Sequence, residues 1–113
     1  MSYDLELCVK TENGNFVLTR IQPEYANPTY NLGKMFRASM GWNFKQGKEY
    51  RVDKVLDQIL KGINELTHFP GKYKKYEPDN GWGSVEGALE ALLSLARAIE
   101  DSDVALDELY IRW

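Results

Sequence analysis

The chain has 113 residues, with 14 Lys or Arg against 17 Asp or Glu and a net charge of −3, and its length fits one domain, 1–113. Its one cysteine, Cys8, excludes an internal disulfide and a Cys-based zinc site, and its one histidine, His68, excludes His–His metal pairs. A domain of this size buries roughly two thirds of its unfolded surface, so it needs neither staple to fold.

No apolar run approaches the roughly 18 residues of a membrane span. The start, MSYDLELCVK, has no basic leader followed by an apolar stretch, so no signal peptide is expected. Asn27-Pro28-Thr29 resembles a glycosylation acceptor, but proline at the middle position excludes it. The expectation is a soluble intracellular protein with no cofactor and no membrane contact. The mild net charge hides an asymmetry. Residues 34–75 hold ten Lys or Arg and four Asp or Glu (+6), whereas residues 84–113 hold two Arg and seven Asp or Glu (−5). Such charge either segregates on the surface and steers partners, or intermixes when the two segments pack together.

Residues 3–9 alternate, with Tyr3, Leu5, Leu7 and Val9 on one face and Asp4, Glu6 and Cys8 on the other, the period of a half-buried strand. Asn13-Gly14 is the preferred centre of a two-residue hairpin turn, and residues 16–21 would be the return strand. That turn pairs Val9 with Leu18 and Thr11 with Phe16, and puts Leu5, Leu7, Val9, Phe16 and Leu18 on one side. Residues 22–31, with two prolines and two asparagines, suggest an ordered loop. A short helix is expected over 32–40, and a turn-rich segment with a short strand over 41–51. Residues 52–69 form an amphipathic helix striped by Val52, Val55, Leu56, Ile59, Ile63 and Leu66, with Asp53 as N-cap and Pro70-Gly71 as its stop. A polar connection to residue 83 leads into a last helix over 84–100. Residues 108–113 alternate as a strand. Strands, then helices, then a closing strand predict an α+β fold: an N-terminal antiparallel β-hairpin and a C-terminal strand in a small sheet, packed by two longer helices and one short helix.

Gly81, Gly83 and Gly87 precede the last helix and raise the question of a phosphate cradle. A dinucleotide fingerprint needs a buried strand before the first glycine, and the charged, Pro78-bearing segment there is not one. A helix start explains the same residues, with Ser84 as N-cap and Glu86 at the positive end of the dipole. Catalytic triads would all depend on His68, which sits at a helix end where histidine caps carbonyls. Cys8 lies beside Glu6 in a strand and is expected to be inert. Asp103, Asp107 and Glu108 match no calcium loop.

Three surfaces stay open as candidates. Asn27, Thr29, Tyr30 and Asn31 gather amide, hydroxyl and phenol groups that would orient a ligand in a small pocket, or else cap the next helix, with Tyr30 as a core anchor. Lys72, Tyr73, Lys74, Lys75 and Tyr76, with Trp82 nearby, carry the cation-and-ring pattern of single-stranded nucleic-acid binding, or else cover helix ends. Trp42, Trp82 and Trp113 are candidate interface anchors, unless they belong to the core.

Three stretches together, MSYDLEL at 1–7, PTYNLGKMF at 28–36 and YEPDNGWGSVEGALEALLSLA at 76–96, resemble a family of small uncharacterised phage and prophage proteins. The resemblance rests on Ser2, Tyr3, Asp4, Thr29, Tyr30, Asn31, Tyr76, Pro78 and Gly81, and covers about a third of the chain. A Gly-rich stretch before Asn27 that belongs to the family pattern is missing, so a pocket shaped by it is not implied. The resemblance implies a phage or other mobile element, a bacterial cytoplasm and a non-enzymatic accessory role, and it carries no activity. The expectation is therefore a small protein-binding module. Single-stranded nucleic-acid binding through 72–82 is one alternative, and a small-ligand protein or minor enzyme built on 27–31 is another. Partner, ligand and oligomeric state are left open.

Overall fold

The structure, a computed structural model, describes residues 2–113. Four strands, β1 (Glu6–Lys10), β2 (Phe16–Leu18), β3 (Glu49–Arg51) and β4 (Leu109–Arg112), form one antiparallel sheet in the order β2-β1-β4-β3. Four helices, α1 (Gly33–Met40), α2 (Val52–His68), α3 (Pro70–Tyr73) and α4 (Val85–Asp101), complete an α+β fold. Leu7, Leu109 and Ile111 lie on the helix-covered face of the sheet and are fully buried there against Phe36, Val52, Ile59 and Leu92. No helix of the described residues is long and apolar enough to cross a membrane.

The hairpin is where pattern and structure part. Cys8 pairs with Leu18, Val9 with Val17 and Lys10 with Phe16, one residue off the expected register. The loop has three residues rather than two. Thr11 N–H donates to the Asn15 carbonyl at 2.7 Å, and Gly14 N–H donates back to the Thr11 carbonyl at 2.9 Å. Gly14 takes φ 82°, the left-handed conformation that closes a three-residue hairpin loop and costs glycine nothing. A one-residue shift turns every side chain of β2 over. Phe16 and Leu18 therefore share the open face with Cys8, not the core side with Leu7. There the Phe16 ring meets Tyr110 edge-on at 5.0 Å, and Arg112 lies 3.5 Å from Glu6 and 3.6 Å from Glu49.

Ahead of β1, residues 3–5 are extended, as their alternation requires, but their partner is the following loop: Tyr3 N–H donates to the Pro28 carbonyl at 2.8 Å and Leu5 N–H to Ala26 at 2.7 Å. The return strand stops at Leu18 because the Gln22 side chain takes over the ladder. Its amide accepts from Leu7 N–H at 2.8 Å and donates to the Leu7 carbonyl at 2.7 Å.

The helices follow their apolar stripes, with local corrections. A 3-10 turn, Tyr30–Leu32, leads into α1. Asp53 is not the N-cap of α2. Arg51 holds that position without a side-chain acceptor, and Asp53 sits in the first turn, clasped by the Arg51 guanidinium at 2.6 and 3.0 Å. Pro70 does not begin a polar loop. It opens α3, and a 3-10 turn, Lys74–Tyr76, follows, because proline fits the first turn of a helix, where its missing N–H is not needed.

α2 packs between α1 and α4, and Gly62 is the point of closest approach. A Cβ there would come within 2.6 Å of Met40 Cγ and 2.8 Å of Leu92 Cδ1. In an exposed helix, Gly→Ala gains about 1 kcal/mol from propensity. At Gly62 overpacking outweighs that gain. Gly62→Ala is expected to destabilise the fold by about 1–3 kcal/mol in urea unfolding; equal or higher stability would show that the three helices have room to separate.

Candidate functional site

The 25–31 loop and the entry to α4 face each other across an open groove of about 740 Å³, with Asn27, Thr29 and Asn31 on one wall and Asn80, Trp82 and Ser84 on the other. Two stretches that the sequence offers as separate candidates thus share one site. The first wall is held by the N-terminal segment. Asn27 Nδ2 donates to Asp4 Oδ1 at 2.7 Å and to the Tyr3 carbonyl at 3.3 Å, and Ser2 bridges to Thr29. Thr29 Oγ1 accepts from Asn31 N–H at 3.3 Å and so caps the 3-10 turn. The Asn31 side chain is exposed and makes no hydrogen bond among the described residues.

Tyr30 leaves the set. Its ring lies 4.7 Å from Tyr3, and its hydroxyl accepts from Gln46 Nε2, so it anchors the loop from behind. It lines a separate cavity of about 620 Å³ with Lys34, Arg37, Lys75 and Tyr76.

The second wall answers the glycine question. Gly81 and Gly83 take φ 77° and 137°, and a Cβ on Gly83 would sit 2.8 Å from Leu32 Cδ2, so this turn packs directly on the opposite wall. Two of the free first-turn amides of α4 are already used: Val85 N–H donates to Glu77 Oε2 at 2.9 Å and Gly87 N–H to Ser84 Oγ at 3.0 Å. A carboxylate of the chain itself occupies the positive end of the helix where a phosphate would bind. The Ser84 cap is legible in sequence. The Glu77 cap is not, because it reaches back across eight residues from the far side of Pro78.

Between Asn80 and Ser84 stands Trp82. Its N–H donates to Asn80 Oδ1 at 2.9 Å, which fixes the turn, while its side chain leaves the residue 68 % exposed. The other two tryptophans are structural. Trp113 is buried and stacks on Phe44 at 4.3 Å, and Trp42 is half-buried with its ring 4.8 Å from Tyr50.

The basic-aromatic segment is divided in the same way. Tyr73 is buried and donates its hydroxyl to Glu65 Oε1 at 2.5 Å, and Lys72 Nζ lies 3.1 Å from the same oxygen. Tyr73 is thus turned into the fold, whereas the paired Lys72 side chain stays 64 % exposed. Lys74 and Lys75 are exposed, and Lys75 lies 5.3 Å over the half-buried Tyr76 ring, within the Lys34–Arg37 cavity rather than beside Trp82. His68 is exposed in the last turn of α2 and makes no carbonyl cap among the described residues. Burial, above all, raises the Cys8 thiol pKa, with Arg112 opposing it. Among the described residues no three His, Cys, Asp or Glu converge to hold a metal ion. Compared with known proteins, the chain matches no family model, no curated protein and no solved structure.

The Glu65 clasp gives a measurable signature. The Tyr73 hydroxyl first, then Lys72, holds the Glu65 carboxyl below its ordinary value of 4.5. A carboxyl lowered on folding stabilises the protein above its unfolded pKa, and that contribution fades as pH falls through the folded value. Carbon-detected NMR titration is expected to place Glu65 below the ordinary glutamate range and to move it up in Tyr73→Phe. The stability gap between the two proteins is then expected to shrink as pH drops below about 4.5. A Glu65 titration unchanged by Tyr73→Phe would contradict the clasp.

Proposed function

We propose that the chain is a small non-enzymatic protein-binding module that engages its partner through Trp82 and the groove beside it. The observation that carries this is the state of Trp82: a large ring on the surface, mounted on a turn fixed by Asn80 and by the Ser84 cap. A partner that buries such a ring gains apolar contact at little cost in conformational entropy, which is why tryptophan is over-represented among interface hot spots. The polar wall adds specificity. Asn31, which lines the same groove, offers an unengaged amide able to donate to and accept from a partner backbone. The resemblance to phage and prophage proteins supports an accessory role in the cytoplasm of a bacterial host.

Capture from nuclease-treated bacterial lysate tests the reading. Trp82→Ala is expected to reduce recovery of a defined protein by at least roughly tenfold while shifting the melting temperature by less than about 2 °C. In the wild type, partner binding is expected to move the tryptophan emission to shorter wavelength as the exposed ring leaves water. Undiminished recovery with Trp82→Ala would remove the groove from the function. Recovery that is lost on nuclease treatment would transfer the activity to Lys74, Lys75 and their basic neighbours.

A further inference from the structure

The cavity of about 620 Å³ that Tyr30 lines is cationic. Lys34, Arg37 and Lys75 line it together with Tyr76 and Pro78, and no Asp or Glu does. Lys34 and Arg37 stand one turn apart on α1, and Lys75 comes from the 3-10 turn after α3. None of the three is in an ion pair among the described residues. The carboxylates nearest to the lining in sequence, Glu77 and Asp79, are not part of it, and Glu77 is turned to the Val85 amide of α4 at 2.9 Å.

Arg37 is the fixed member of the set. It is half-buried, its Nε donates to the Phe44 carbonyl at 3.2 Å, and its guanidinium lies over the Phe44 ring at 4.4 Å. Gly33 leaves it room: a Cβ there would come within 2.8 Å of Arg37 Nη1 and 2.6 Å of the Tyr3 hydroxyl. The two Nη groups make no hydrogen bond among the described residues. A guanidinium held in this way offers its remaining donors with little further loss of side-chain freedom. Lys34 lies in the first turn of α1, which has no acidic residue and no side-chain cap, so the fold supplies no counter-charge at this positive helix end. Lys75 lies 5.3 Å over the Tyr76 ring, which itself packs on the buried Tyr73 at 6.3 Å.

We propose that this cavity binds a phosphate monoester, with the Arg37 fork and the two lysines on its terminal oxygens. The charge selects among anions. A monoester brings about 1.5 to 2 negative charges and three acceptor oxygens, enough to engage Lys34, Arg37 and Lys75 together. A carboxylate brings a single charge and leaves cations uncompensated. A nucleic-acid strand would need open rings on which to stack its bases, and the fold uses both tyrosines: Tyr30 contacts Tyr3 and Gln46, and Tyr76 contacts Tyr73 and Lys75. The ester belongs either to a small molecule or to a phosphorylated side chain of a partner. Asn31 lines both this cavity and the Trp82 groove, so a partner seated on the groove has the cavity within reach.

The full-length, isotope-labelled protein is titrated with four probes: inorganic phosphate, a short peptide carrying one phosphoserine, the same peptide with glutamate in its place, and a thymidine oligonucleotide. Inorganic phosphate is expected to shift the amide resonances of Lys34, Arg37, Lys75 and Tyr76 with a Kd of about 1 mM or below. The phosphoserine peptide is expected to shift the same set, and the glutamate peptide to bind at least roughly tenfold more weakly. A phosphoserine peptide tighter than phosphate assigns the ester to a partner protein, and one no tighter assigns it to a small molecule; both support the proposal. Lys34→Glu is expected to lower phosphate affinity at least roughly tenfold. Lys74→Glu makes the same charge change on a lysine outside the lining and is expected to alter affinity less than about threefold. Both lysines are exposed, so the variants keep their fold, which their amide spectra would verify. Each of four results would overturn the proposal: no shift with phosphate or the phosphoserine peptide, a glutamate peptide that binds as tightly, equal losses from the two lysine variants, or an oligonucleotide that binds tightest at these residues. Trp82 does not line the cavity, and Trp82→Ala is expected to leave phosphate binding intact, so the two sites are tested separately.

Discussion

The fold depends on the aromatic box that closes around Trp113. Its ring stacks on Phe44 at 4.3 Å and 18°, and it meets Phe36 at 5.5 Å, Trp42 at 6.1 Å and Tyr3 at 6.2 Å. These residues come from the N-terminal segment, α1, the connection to β3 and the end of β4. Each such pair adds about 0.5–1.5 kcal/mol beyond the area it buries. The box also places β4 between β1 and β3, so the sheet has no continuous ladder until Leu109–Arg112 arrives. The element most distant in sequence from the hairpin is thus the one that joins it to everything else. Contacts of that separation must overcome loop-closure entropy before they stabilise anything, which makes sheet assembly the slow part of folding.

The candidate groove inherits its rigidity from the same box. Tyr3 belongs to it, and the backbone of Tyr3 holds Pro28 and the side chain of Asn27. Tyr30, packed on Tyr3, anchors the loop from the other side. The opposite wall is fixed by Glu77 and Ser84 on α4 and touches the first wall where Gly83 meets Leu32. Both walls are therefore held by buried or hydrogen-bonded elements, while Asn31 and Trp82, the groups that face outward, are not used by the fold. A site built this way offers contact and orientation. Tyr25 is the one titratable side chain among its lining residues, and the Val85 and Gly87 amides at the start of α4 are already engaged by Glu77 and Ser84.

Much of this was legible in the sequence wherever one period governs a long segment. The stripe Val52–Leu66 and the Ser84 cap state their helices outright, and Asn-Gly states a hairpin. What was not legible turns on single residues with two acceptable solutions. Asn13-Gly14 fits both a two-residue and a three-residue loop, and the choice reverses the faces of Phe16 and Leu18. Tyr73 and Lys72 look like a cation-aromatic surface until Glu65, seven or eight residues earlier on another helix, claims both. Pro70 ends a helix or begins one with equal ease. The site divides along the same line. The polar group at 27–31 and the exposed Trp82 could each be named, but nothing local says that residues more than fifty positions apart form one groove. That fact belongs to the packing of Gly83 on Leu32.

Folding brings the two segments of opposite charge side by side, α2 against α4 and β3 beside β4, with one ion pair between them among the described residues. Among the described residues, the ion pairs are Arg51–Asp53, Lys72–Glu65 and Arg112 with Glu6 and Glu49. The first two lie within the basic segment. The one pair that joins the two segments, Arg112–Glu49, takes a cation from the acidic segment and an anion from the basic one, so it leaves each excess intact. The molecule extends 44 Å along its longest axis, against a Debye length of about 8 Å at physiological salt. A partner near the acidic end of α4 therefore senses that end and not the net charge of −3.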